Sequence, residues 1–222
     1  MKSKTIAISA TAFVLLGGVI GVQQYISSQI TSKVQRDLPN ASGISASIPL
    51  ADVPRNLTSD AIKSAEINIK SFALRESGTT TSLTISASNI SKAKPTLVGS
   101  LEVTATIPAS TITQSSEFND AQIVGNTLQV SAGEGGLGTA LLIPKYSDDQ
   151  LYFELQSVSI FGNQIPASSL SADLQNQIKS RSQRNLTPPK GLKVQSVSLS
   201  SEGLSVRMSG NNIQLGNLGS SL

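Results

Sequence analysis

Three groups of residues have the types and spacing from which chemistry is usually built, and each lacks a necessary partner. The stretch Gly133-Glu134-Gly135-Gly136-Leu137-Gly138 satisfies G-x-G-x-x-G. A dinucleotide site needs a helix opening directly after those glycines, so that its free amides meet the pyrophosphate. Residues 139–143 instead read as a strand, which predicts a hairpin connection. Asp148-Asp149 is a pair of adjacent carboxylates, but neighbouring residues of a strand or turn point apart, whereas carboxyls that share acid-base work face one another across the reacting bond. Serines are abundant, yet none lies in G-x-S-x-G, and with 0 His no imidazole is present to activate one. With 0 Cys, thiolate chemistry, thiolate metal sites, disulfides and a lipoprotein anchor are excluded as well. The expectation is a protein that is not an enzyme, with no catalytic residues, no cofactor and no metal site.

The charge balance narrows the partners. Seventeen basic residues against 14 acidic ones leave a net charge of +3, too small an excess for a nucleic-acid protein. Five of the cations are grouped: Lys179, Arg181, Arg184, Lys190 and Lys193, with no acid between 179 and 193. Beside a lipid site they would attract an anionic head group or a membrane surface, each for about 1 kcal/mol. The alternative is that they complement the dipole at a helix C-terminus, for about 0.3–1 kcal/mol each.

The elements that must position these residues begin with an apolar N-terminus. Lys2 and Lys4 precede residues 5–22, which carry no charge and as a helix would span roughly 27 Å at about 1.5 Å per residue. Lysines that stay on the cytoplasmic side send the rest of the chain outward. A signal-anchor over 1–25 is expected, making a single-pass cell-membrane protein with an extracytoplasmic body. Secretion after cleavage is the alternative, although the nearest small-residue site, Val19-Ile20-Gly21, is a poor one. Ile26, Ile30, Val34 and Leu38 then recur every four residues before Pro39, an amphipathic helix over 26–39 leading into the body.

Beyond Gly43 the period changes to two. Leu101, Val103, Ala105 and Ile107 alternate with Glu102, Thr104 and Thr106, and similar alternation at Leu128 with Val130, Leu151 with Phe153 and Leu155, and Leu204 with Val206 predicts a largely antiparallel sheet of many strands. Leu170, Leu174 and Ile178 fall on one helical face between Pro166 and Pro188-Pro189, which predicts a helix of four to five turns over 166–187. Ile48-Pro49, Ile107-Pro108 and Ile165-Pro166, each followed four residues later by Val53, Ile112 and Leu170, suggest three strand-to-helix junctions or simply three strand ends. The body is expected over 40–215, with a disordered tail at 216–222.

The C-terminal run Leu186-Thr187-Pro188-Pro189-Lys190-Gly191-Leu192-Lys193-Val194, then Glu202-Gly203-Leu204-Ser205-Val206, then Gly210-Asn211-Asn212-Ile213-Gln214-Leu215 resembles the closing motif of the LmeA-like phospholipid-binding family of bacterial envelope proteins. That motif is a Leu-Pro-x-Gly-Leu turn, two strands joined at a glycine, and a final Gly-x-Asp/Asn-hydrophobic step. Thr187 is an insertion into it, and Asn212 stands where Asp is frequent.

The resemblance implies an α+β fold of the tubular lipid-binding type, a curved, largely antiparallel sheet wrapped around a long helix, with an apolar groove for a phospholipid. Leu101, Val103, Ile107, Leu128, Val130, Leu151, Phe153, Leu155, Leu170, Leu174 and Ile178 are then the expected lining. The function expected is phospholipid binding at the extracytoplasmic face, for envelope lipid transport or homeostasis. A membrane-anchored, β-rich scaffold or adhesion module with an envelope protein or glycan partner is the alternative.

Overall fold

Strands that alternate branched aliphatic residues with Ser and Thr bury one face only when paired into sheets. The computed structural model describes residues 41–49, 59–73, 80–93, 95–115, 120–132 and 138–214. In chain order its strands are β1 (Ala41–Ser47), β2 (Ala61–Ala73), β3 (Thr80–Ser91), β4 (Leu97–Pro108), β5 (Gln122–Val124), β6 (Thr127–Ala132), β7 (Gly138–Ser147), β8 (Gln150–Ile160), β9 (Asn163–Pro166), β10 (Arg184–Asn185), β11 (Lys193–Ser200) and β12 (Gly203–Gln214). The helices are α1 (Ala109–Ser115) and α2 (Ala172–Ser182), the latter preceded by a single 3-10 turn, Ala167–Ser169. One sheet has the hydrogen-bonded order β1-β2-β3-β4-β12-β11, the other β10-β8-β7-β6-β5, with β9 also on β8. The described residues fall into two compact units, one of 106–187 and 196–206, the other of 41–105, 188–195 and 207–214. Strands β4, β11 and β12 therefore contribute residues to both.

In the second of these units the long β2–β3 hairpin carries most of the core. Ile67 lies opposite Ile85 and Ile69 opposite Leu83, and all four are buried. The inward set changes parity between Ala65 with Ala87 and Ile62 with Ile90, and β2 changes it again at the bulge between Ile69 and Phe72. Asn89, at φ 52, absorbs the turn that the first change requires.

In the first unit, rows of apolar side chains cross three strands: Leu128, Leu142 and Leu155 form one, Val130, Ala140 and Val158 another. A bulge in β8 opposite Leu141 and Leu142 keeps these rows in step. Residues 139–143 are part of β7, so no helix follows Gly138 and the hairpin expectation for the glycine motif holds there; residues 133–137 lie outside the described residues.

The expected sheet wrapped around a long helix is not the fold. The described residues are mostly antiparallel sheet, and α2 has 11 residues rather than four to five turns. The segment breaks at Leu170, whose backbone is extended at φ −101, ψ 158. Ser171 then restarts the chain as N-cap, accepting a hydrogen bond from the Leu174 amide at 3.4 Å. Beyond Ser182 the chain pairs with β8 again as β10. Leu170 therefore never joins the helical face of Leu174 and Ile178.

What α2 does instead follows from the edge of β8. Strand β9 pairs with residues 157–160 of β8, and β10 pairs with 150–151, which leaves the middle of that edge without a strand. Phe153 lies opposite Pro144 of β7, and Pro144 has no N–H to give. The Phe153 amide points the other way and donates to Ser182 Oγ at 2.9 Å. That hydroxyl in turn donates to the Ile178 carbonyl at 2.9 Å. The helix is thus an edge cover of the kind that stops further strand pairing, not an axle.

The expected signal-anchor over 1–25, the amphipathic helix over 26–39 and the tail at 216–222 lie outside the described residues. Among those described, no helix is long and apolar enough to cross a membrane, which says nothing about strands.

Candidate functional site

The side chains with chemistry in them are placed as structure. Asp148 and Asp149, at φ 53 and 56, form the two-residue turn between β7 and β8 and are exposed. Asp149 accepts from the Tyr146 hydroxyl at 2.8 Å through Oδ1 and from the Leu186 amide at 2.8 Å through its carbonyl. Such a turn locks β10 to the hairpin and leaves the two carboxylates no common substrate position. Among the described residues no group of His, Cys, Asp or Glu is arranged to hold a metal.

Partial burial, with the hydrogen bond to Asp149 and that carboxylate's charge, pushes the Tyr146 hydroxyl up to about 12 from an ordinary 10. The neutral phenol is the form the fold prefers, so its contribution to stability is complete below pH 10 and is lost as pH rises through 12. Melting temperature followed from pH 9 upward, with pH steps of about one unit, is expected to fall more steeply for the parent than for Tyr146→Phe.

Of the eleven residues expected to line a groove, six present almost no surface. Leu101, Val103, Leu128, Val130, Leu151 and Leu155 are each 4% exposed or less. A channel wide enough for an acyl chain would leave its lining accessible to a water-sized sphere, whether the channel were open or sealed. These six are packed against protein in this structure, and Leu101 and Val103 lie in a different unit from the other four. Ile107 is half-buried near the end of β4, with its backbone carbonyl close against Gly203.

Of the remaining four, Leu174 and Ile178 lie on α2, Leu170 on its approach and Phe153 on β8. Phe153, Leu170 and Ile178 are half-buried, and Leu174 is 39% exposed. No residue of α2 is buried. The helix is held instead by polar contacts: Ser182 on the Phe153 backbone, Gln183 bonded to Gln150, and Lys179 with its ammonium 4.4 Å from the centre of the Tyr152 ring. Gln175 reaches back to the carbonyls of Ala167 and Leu170, at 2.8 and 3.2 Å, and fixes the turn that delivers Leu174.

The five cations are divided. Lys179 and Arg181 are exposed in the last turn of α2, where they complement the helix dipole. Arg184 is half-buried and caps the helix, its guanidinium donating to the carbonyls of Arg181 at 3.0 Å and Gln183 at 2.8 Å. Lys190 and Lys193 belong to the other unit, in the turn closed by Leu192 donating to the Pro189 carbonyl and at the start of β11.

Sequence reasoning passed over one residue altogether. Phe161 is 80% exposed at the tip of the β8–β9 hairpin, beside Ile160 at 40%. Its signal was legible as an aromatic residue before Gly162, where a two-residue hairpin loop favours Asn, Asp or Gly. Compared with protein-family models, with curated proteins and with solved structures, the chain matches none.

Proposed function

We propose that this chain is a membrane-tethered, extracytoplasmic phospholipid-binding protein of the LmeA-like kind, and that α2 with the adjoining part of β8 is its lipid contact. The observation that carries this reading is that α2 buries none of its residues while holding Leu174 outward. A helix kept only for packing turns its apolar stripe to the core. Here the exposed Leu174 and the half-buried Ile178, four residues apart on α2, are followed in its last turn by the exposed Lys179 and Arg181. That order, hydrocarbon first and cation last, matches an acyl chain followed by an anionic phosphate. The uncharged segment 5–22 and the C-terminal motif support the same reading from the sequence. It requires no tube and no long central helix.

The closed interior favours a second reading, an anchored β-rich scaffold for an envelope protein or glycan. Photoactivatable phosphatidylglycerol, incorporated into bilayer discs with the full chain, separates the two. Adducts on peptides holding 152–153 and 170–178 are the expected result. Adducts confined to the N-terminal apolar peptide would show only that the chain is in a bilayer, and would favour the scaffold.

A further inference from the structure

We infer that the β8–β9 hairpin tip, Ile160-Phe161-Gly162, inserts into the interface of a phospholipid bilayer and holds the body against it. Ile160 lies opposite Asn163, so Phe161 and Gly162 alone make the loop, at φ 50 and 82. Both central positions are in the left-handed region. Gly occupies it freely, whereas Phe places its Cβ too close to a backbone oxygen, a conformation that costs about 1–2 kcal/mol. Among the described residues little packs on this side chain to offset that cost, because Phe161 is 80% exposed. A strained backbone carrying an unpacked aromatic is the pattern of a residue kept for contact with something outside the chain.

The surroundings select what that contact is. From 155 to 172 there is no charged residue, so the whole hairpin can approach a low-dielectric region without stripping water from an ion. Below the tip, Ser159, Asn163 and Gln164 form a neutral, hydrogen-bonding neck, with Gln164 donating to Ser157 Oγ at 2.9 Å. Such a neck suits the head-group layer. Area argues against a protein partner: an aromatic side chain buries roughly 150–250 Å², whereas a stable protein interface takes about 800 Å² from each side. Two side chains fall far short of that, yet are enough for an interfacial anchor on a chain that residues 5–22 already bring to a membrane.

This inference rests on the membrane-facing part of the proposed function, and its test is independent of lipid binding at α2. The chain has 0 Trp, so Phe161→Trp introduces a single fluorophore of similar shape at the tip. Val124→Trp does the same at an exposed position in the β5–β6 hairpin, whose turn is at the opposite end of that sheet from the tip. Each full-length variant is placed in phosphatidylcholine–phosphatidylglycerol discs with brominated acyl chains.

Emission from Phe161→Trp is expected to lose about half its intensity relative to unbrominated discs, as for a group roughly 5–10 Å into the boundary between head groups and acyl chains. Val124→Trp is expected to be unaffected. Equal emission from Phe161→Trp with and without bromine overturns the inference, even where it is blue-shifted by a protein contact, and so does equal quenching of both variants. Bound phospholipid with an unquenched tip would leave the α2 site standing and remove only the insertion. A quenched tip without bound lipid would do the reverse.

Discussion

Gly203→Ala is expected to cost about 3–5 kcal/mol, a large share of the roughly 5–15 kcal/mol that holds an ordinary domain. A Cβ at 203 would lie 1.9 Å from the Ile107 carbonyl oxygen and 2.8 Å from the Ala109 amide nitrogen. Both are backbone atoms at the junction of β4 with α1, and the Ala109 amide is itself held by the Glu202 carbonyl at 3.0 Å. Neither can swing aside as a flexible side chain would. The backbone at 203 is also at φ 137, which L side chains rarely adopt. A melting temperature lowered by about 6–20 °C follows, at roughly 2–4 °C per kcal/mol for a chain of this size. Gly125→Ala is the control: its φ of 60 carries strain, but nothing lies within 4 Å of the added methyl, so a loss of only about 1 kcal/mol is expected. Equal, small effects at both positions would contradict the close approach at 203.

Leu174→Glu should separate lipid retention from stability. The side chain is 39% exposed and the helix around it has no buried residue, so the expected change in folding stability is within about 0.5 kcal/mol. Loss of the apolar contact costs about 1 kcal/mol of lipid binding. Repulsion between the new carboxylate and an anionic head group adds about 1 kcal/mol more. Together these correspond to roughly a thirtyfold weaker hold on phosphatidylglycerol, at tenfold per 1.4 kcal/mol. Retention of labelled phosphatidylglycerol during exchange against excess unlabelled lipid measures this, alongside a thermal melt of the same sample. A variant that melts like the parent and exchanges lipid at the parent rate would remove α2 from the site.

The strands were legible because their inward positions obey a strict period. Leu101, Val103 and Ala105 are buried while Glu102, Thr104 and Thr106 are not, as alternation requires. Gly125 and Asp148-Asp149 hold positive φ in the turns that separate these strands, a conformation Gly and Asp tolerate. The extent of the late helix was not legible, because Leu170, Leu174 and Ile178 have helical spacing whether or not the backbone between them is continuous. The break is decided by Ser171 as a cap and by the pairing of Arg184 and Asn185 with β8, a contact more than thirty residues apart in sequence. Periodicity also cannot distinguish an interior that is full from one with room for a ligand, which is why Leu128 and Leu155 read as lining and turned out to be core.

The C-terminal motif was visible as a pattern, and its physical content emerges in three dimensions. Gly191 at φ 88, Gly203 at φ 137 and Asn212 at φ 53 each occupy the left-handed half of backbone space. A Cβ on Gly210 would come within 2.2 Å of the Gly191 carbonyl oxygen. The motif specifies how β12 is entered and how it meets the Pro189–Leu192 turn. It is a folding signature, and the lipid contact proposed here lies on other residues.

On the proposed function, phospholipid associates with the folded body and not only with the apolar N-terminus. Native mass spectrometry of the full chain, released gently from phosphatidylglycerol-containing discs, tests it directly when run side by side with Leu174→Glu. The parent is expected to retain phospholipid at activation energies that strip it from the variant. Identical lipid retention by the two, or a parent that emerges lipid-free, would contradict it.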